Sequence, residues 1–140
     1  MLLADAINTS SDGKVNMLSQ FDRILSYKYP AMHPKLVVWV RLVMELSDHD
    51  RQMKTALRLL DPDGNLLFAI ERPMMGPPKP PGQWKATGIN AIIPMVGLVF
   101  PAPGDYAFTF EVDDEEKGRA PLTLDQVDPG WRPEPAQELR

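Results

Sequence analysis

Cysteine is missing from all 140 residues, which removes disulfides, thiolate metal sites and thiol nucleophiles together and fits a reducing compartment. Histidine is scarce. His33 and His49 fall in different loops at opposite ends, and neither has the G-x-S-x-G or H-E-x-x-H surroundings of a triad or a zinc site. No Gly-rich loop opens a helix, so phosphate binding at a helix N-terminus is unsupported. Basic charge is short as well: the formal net charge is −4, the pI is near 5.1, and Lys and Arg are scattered instead of forming the stripe that nucleic-acid binding needs. Long hydrophobic runs are lacking too. Met1-Leu2-Leu3-Ala4-Asp5 has neither the basic region nor the apolar stretch of a signal peptide, and nothing later nears a membrane span. Together these gaps predict a cytoplasmic protein that binds no nucleic acid and no membrane, carries no cofactor and no metal, and is not an enzyme.

Proline and alternation are what the chain has in plenty. Fifteen prolines, about twice the usual share, fall mostly between alternating segments and argue against a helical protein. In Gly104 to Val112, the residues Tyr106, Phe108, Phe110 and Val112 share one strand face, and Asp105, Ala107, Thr109 and Glu111 the other. Leu2 to Asn8 and Lys14 to Arg23 read as strands joined by a hairpin whose Asp12-Gly13 supplies a positive φ. Tyr27 to Pro34, with two prolines, reads as a crossing loop. Lys35 to Glu45 sets Leu36, Val38, Val40, Leu42 and Met44 on one face and Val37, Trp39 and Val43 on the other, as in a strand inside a sheet. Arg51 to Leu60 turns inward Met53, Thr55, Leu57 and Leu59, and Asn65 to Glu71 buries Leu66, Phe68 and Ile70. Pro73 to Gly82 contains five prolines and is expected to stay extended and unpaired. Trp84 to Phe100 is one bulged strand or two short ones, broken at Pro94, and Gly118 to Leu124 is a last strand made an edge by Pro121. The prediction is an all-β fold, an antiparallel two-sheet β-sandwich of immunoglobulin-like or Greek-key type with seven to eight strands. It occupies residues 1–125, and a Pro-rich tail over 126–140 is expected to be disordered.

Successive strands cross the sandwich in opposite directions, so loops alternate ends. With Trp84 to Phe100 as one crossing, the loops at Asp12, at Asp48-His49-Asp50, at Met74-Met75 and at Asp113 to Glu116 share an end. Converging carboxylates suit Ca²⁺, yet no dense D-x-D-x-D-G spacing is present, and acidic hairpin tips are ordinary turn chemistry. Asp61 and Asp63 belong to a turn in the same way. Met74 and Met75 are either a docking patch or a cap on the core, and Trp84 either a sugar-stacking platform or another cap. The predicted function is a non-enzymatic protein-interaction module acting through a sheet edge or through the end bearing Met74 and Met75. Its candidate surface is Met74, Met75, Trp84, Asp113 and Asp114, and its partner is another protein or a second copy. The alternative is a Ca²⁺-dependent or carbohydrate-binding sandwich module.

Leu3-Ala4-Asp5-Ala6, the segment Asp12-Gly13-Lys14-Val15-Asn16-Met17-Leu18 followed by Phe21-Asp22-Arg23-Ile24, and the run from Phe100 to Tyr106 resemble an uncharacterised bacterial family of small single-domain proteins over roughly residues 1 to 125. The resemblance implies a compact β-sandwich in a bacterial cytoplasm and implies no activity, ligand or catalytic residue. The chain departs from the family pattern at Ser19-Gln20, where a glycine is expected, and in the Asp113 to Glu116 turn, where a shorter Asp-Gly hairpin is typical.

Overall fold

The computed structural model describes residues 1–79, 81–82 and 87–139. Among these are nine strands: β1 (Leu2–Thr9), β2 (Val15–Phe21), β3 (Arg23–Ser26), β4 (Ala31–Met44), β5 (Gln52–Leu60), β6 (Leu66–Met75), β7 (Thr87–Phe100), β8 (Gly104–Val112) and β9 (Glu115–Gln126), with a short 3-10 turn at Leu46–Asp48. They form two sheets, a first of order β2-β1-β4-β7 and a second of order β3-β9-β8-β5-β6. Alternation decides what lies between them. β4 contributes Leu36, Val38, Val40, Leu42 and Met44, β5 contributes Met53, Leu57 and Leu59, β8 contributes Tyr106, Phe108 and Phe110, and β9 contributes Ala120, Leu122 and Leu124. Each such large apolar side chain withdrawn from water stabilises the fold by about 1.5–3 kcal/mol before the entropy of ordering is subtracted.

Several boundaries differ from the sequence expectation, each for a local reason. The strand expected over Lys14 to Arg23 is two strands, bringing the count to nine. Phe21 and Ile24 both pack against the core but stand three residues apart, so a straight strand cannot face both inward; the chain turns at Asp22 and leaves the first sheet for the second. There β3 runs parallel to β9, from Arg23 opposite Thr123 to Ser26 opposite Gln126. β4 begins at Ala31, inside the expected crossing loop, and contains Pro34. Its ladder with β7 steps from His33 opposite Leu98 to Lys35 opposite Val96, passing over Pro34 and over Gly97, whose φ is +67°. A proline without N–H is accommodated at that irregularity.

The stretch expected to remain unpaired from Pro73 is partly strand. Pro73, Met74 and Met75 continue β6 and stand opposite Lys54, Met53 and Gln52. β6 is a sheet edge, so a proline there can turn its missing donor outward. Leu66, expected inside, is 52% exposed, while Phe68 and Ile70 are half-buried against the core. Pro121 does not make β9 an edge: β9 lies between β3 and β8. Because β3 reaches only Thr123 to Gln126, Pro121 still falls where one side of β9 is open. β7 is one continuous strand, with Pro94 paired to Val37 in unbroken register.

Ser19, where the resemblance leads to the expectation of a glycine, has φ +54°, the left-handed backbone that glycine would favour. The Asp113-Asp114 turn behaves likewise. It joins β8 to β9 with φ of +51° and +66°, the two-residue conformation that Asp-Gly supplies elsewhere.

Candidate interaction surface

The loop end expected to carry function is held together by one arginine. Arg51 donates through one guanidinium nitrogen to Asp113 Oδ2 at 2.7 Å and through another to Asp48 Oδ1 at 3.0 Å. Asp113 Oδ1 accepts the Lys54 backbone N–H at 3.0 Å, and Asp114 accepts from Lys54 Nζ at 3.2 Å. The Lys54 N–H bond, followed by Arg51, holds the Asp113 carboxyl below the usual carboxylate range; the Glu45 backbone N–H, followed by Arg51, does the same for Asp48. Gly76 N–H donates to the Arg51 carbonyl at 2.8 Å, and Asp50 N–H to the Pro77 carbonyl at 3.1 Å, fastening the start of the proline segment to this cluster. A cavity of about 380 Å³ opens beside it, with Arg41, Arg51 and Lys117 facing Glu45, Asp48, Asp113 and Glu115.

Asp48, Asp50, Asp113 and Asp114 therefore lie at one end, with Met74 and Met75 entering it along β6. Asp12 does not join them. β1 is antiparallel to β4, Leu2 opposite Trp39 and Ala4 opposite Val37, so the β1–β2 hairpin projects where β4 begins, away from Asp48. The turn at Asp22 adds a reversal that strand counting omits. Acidic groups at the shared end are matched by bases, Glu115 with Lys117 at 3.2 Å and Glu116 with Arg119 at 2.9 Å in addition to those above. Among the described residues no group of three or more His, Asp or Glu side chains is gathered to hold a metal.

Of the two methionines, Met74 is half-buried against the core and Met75 is 64% exposed, so one caps and the other is available at the surface. Trp84 lies outside the described residues. His33 sits in β4 instead of a loop, its ring 5.6 Å from that of Phe21, and His49 is buried with its Nδ1 2.8 Å from the Glu45 carbonyl.

A second surface was not named from the sequence. β7 is fourteen residues long, carries no charged side chain from Thr87 to Phe100, and among the described residues is laddered to β4 alone. Alongside its other edge the two sheets part over a cleft of about 190 Å³, lined mainly by the apolar Leu57, Ile70, Pro73, Met74, Ala91, Ile93 and Phe110, with Thr55 and Arg72 also on its walls. Val96 at 78% and Val99 at 56% exposed continue the apolar character outward. The uncharged run was visible in the sequence; that one side of it would stay open was not, because Pro94 suggested a break.

The chain matches the Family of unknown function (DUF6941) over residues 1–125, and it belongs to that family. No curated protein and no solved structure matches it.

Proposed function

From membership in a family without an assigned activity, we propose a non-enzymatic protein-interaction module that accepts an extended polypeptide along the free edge of β7. The observation that carries this is the long edge of β7, which has no charged residue of its own, beside a mainly apolar cleft. Unpaired strand N–H and C=O groups gain ladder bonds from an added strand, and the cleft receives its alternate side chains. Natural sheet edges are commonly blunted by charge, and β7 has none. The loop end supports the module differently, since the Gly76 and Pro77 contacts brace the chain where it leaves β6.

The scaffold is inferred to be of the immunoglobulin-like Greek-key type, in a bacterial cytoplasm. Support for the topology comes from neighbours far apart in sequence, β4 with β7 and β5 with β8, and from β3 lying parallel to β9. Tyr106, early in β8, turns its hydroxyl back to donate to the Ala102 carbonyl at 2.7 Å, the corner that such sandwiches place at this crossing. Absence of cysteine supports the reducing setting.

Affinity capture with mass spectrometry tests the function, comparing wild type with Ala91→Lys, which sets a charge at the half-buried mouth of the cleft. Wild-type bait should retain another protein or untagged copies of itself, and the variant, shown by circular dichroism to be folded, should lose them. Identical profiles would overturn the proposal.

A further inference from the structure

The edge of β7 is built to pair with itself, and we infer that its occupant is β7 of a second copy, in a two-fold dimer centred on Ala91. This rests on the strand-docking reading and names its partner. The ladder between β4 and β7 passes through Pro94 without a slip, so Pro94 stands where its nitrogen points away from β4. Gly88, Asn90 and Ile92, at two-residue steps from Pro94, therefore direct their N–H and C=O groups to the same open side.

Antiparallel pairing with Ala91 opposite Ala91 of the other copy uses those groups fully. Asn90 exchanges both bonds with Ile92 of the second copy, and Gly88 N–H donates to the Pro94 carbonyl. The donor that Pro94 lacks is lost only against the Gly88 carbonyl, at the end of the ladder. Ala91 falls at a non-hydrogen-bonded pair, where Cα atoms approach to about 4.5 Å, and its methyl group is small enough for that approach. Ile89, Ala91 and Ile93 lie on the inward face, opposite Leu42, Val40 and Val38, so the second copy brings the same apolar set over the cleft beside Ile70 and Met74. The strand contains no like charges to repel across the axis.

Size is consistent with a reversible dimer. A seven-residue ladder is about 24 Å long. Against two sheets about 10 Å apart with their outward side chains, it covers roughly 500–600 Å² per copy, close to the ~1,000 Å² total that separates specific interfaces from incidental ones.

Sedimentation of the full chain from about 1 to about 500 µM should show monomer passing to dimer, and Ala91→Lys should stay monomeric throughout. Because the chain has no cysteine, a single introduced thiol reports proximity cleanly. Ala91→Cys should form a disulfide-linked dimer under mild oxidation about tenfold faster than Val43→Cys, an exposed control opposite Gly88 on the other face of the same sheet. If Ala91→Lys fails to fold, the cysteine pair decides. Wild type remaining monomeric over the whole range, or equal rates for the two cysteines, overturns the inference. If a monomeric wild type still captures another protein that Ala91→Lys loses, strand docking stands and the occupant is that protein.

Discussion

Gly76 is the residue at which the backbone leaves least room. A Cβ built there would lie 1.7 Å from the Asp48 carbonyl oxygen and 2.9 Å from its carbon, both main chain and unable to swing aside. Gly76→Ala is therefore expected to destabilise by about 1–3 kcal/mol, read as a lowered midpoint in urea with an unchanged slope. Arg51 acts at the same place through charge. Asp48 and Asp113 have folded-state values below their unfolded ones, so their stabilisation is present above the unfolded value of about 4 and is lost as pH falls through the folded values. Arg51→Met removes part of that depression. Its melting temperature should lie below wild type at pH 7, and the gap should narrow as pH falls below about 4; a gap constant with pH would contradict the assignment. The two ion pairs are partly exposed, so the difference is expected to be small.

At the scale of elements, alternation was enough to find most strands and their inward sets, because Leu36 to Met44 and Tyr106 to Phe110 obey a period of two that only a sheet satisfies. Proline misled where it was treated as a stop. Pro34, Pro73, Pro94 and Pro121 all lie within strands, at a bulge, on an edge, or where a neighbour has ended, and local sequence does not say which side of a strand will be open. The turn at Asp22 was hidden for a related reason: the three-residue step from Phe21 to Ile24 is short enough to pass as irregular alternation. Of the candidate surface, the convergence of Asp113, Asp114, Met74 and Met75 was legible from strand direction, whereas Asp12 was misplaced by the uncounted reversal. Both the β7 edge and its cleft depend on sheet order, which alternation does not encode.

Taken as a whole molecule, the sandwich ends with β9 at Gln126, and after the Val127 N–H bonds the Ser26 carbonyl at 3.0 Å the chain has no further strand among the described residues. From Asp128 to Leu139 every described side chain is exposed, Trp131 at 44% and Leu139 at 93%. Deleting residues 128–140 should leave the thermal midpoint within about 1 °C of the full chain, since little apolar area is uncovered. A larger fall, measured by circular dichroism, would show the tail contributing to the fold.

The parallel pairing of β3 with β9 joins Arg23 to Thr123, nearly the full span of the domain. During synthesis, the early segment has no ladder to enter until the final strand has left the ribosome. Completion of the second sheet is thus a late event, and a chain cut short before residue 123 would leave β3 without its ladder and open to the proteases that clear unfinished polypeptides.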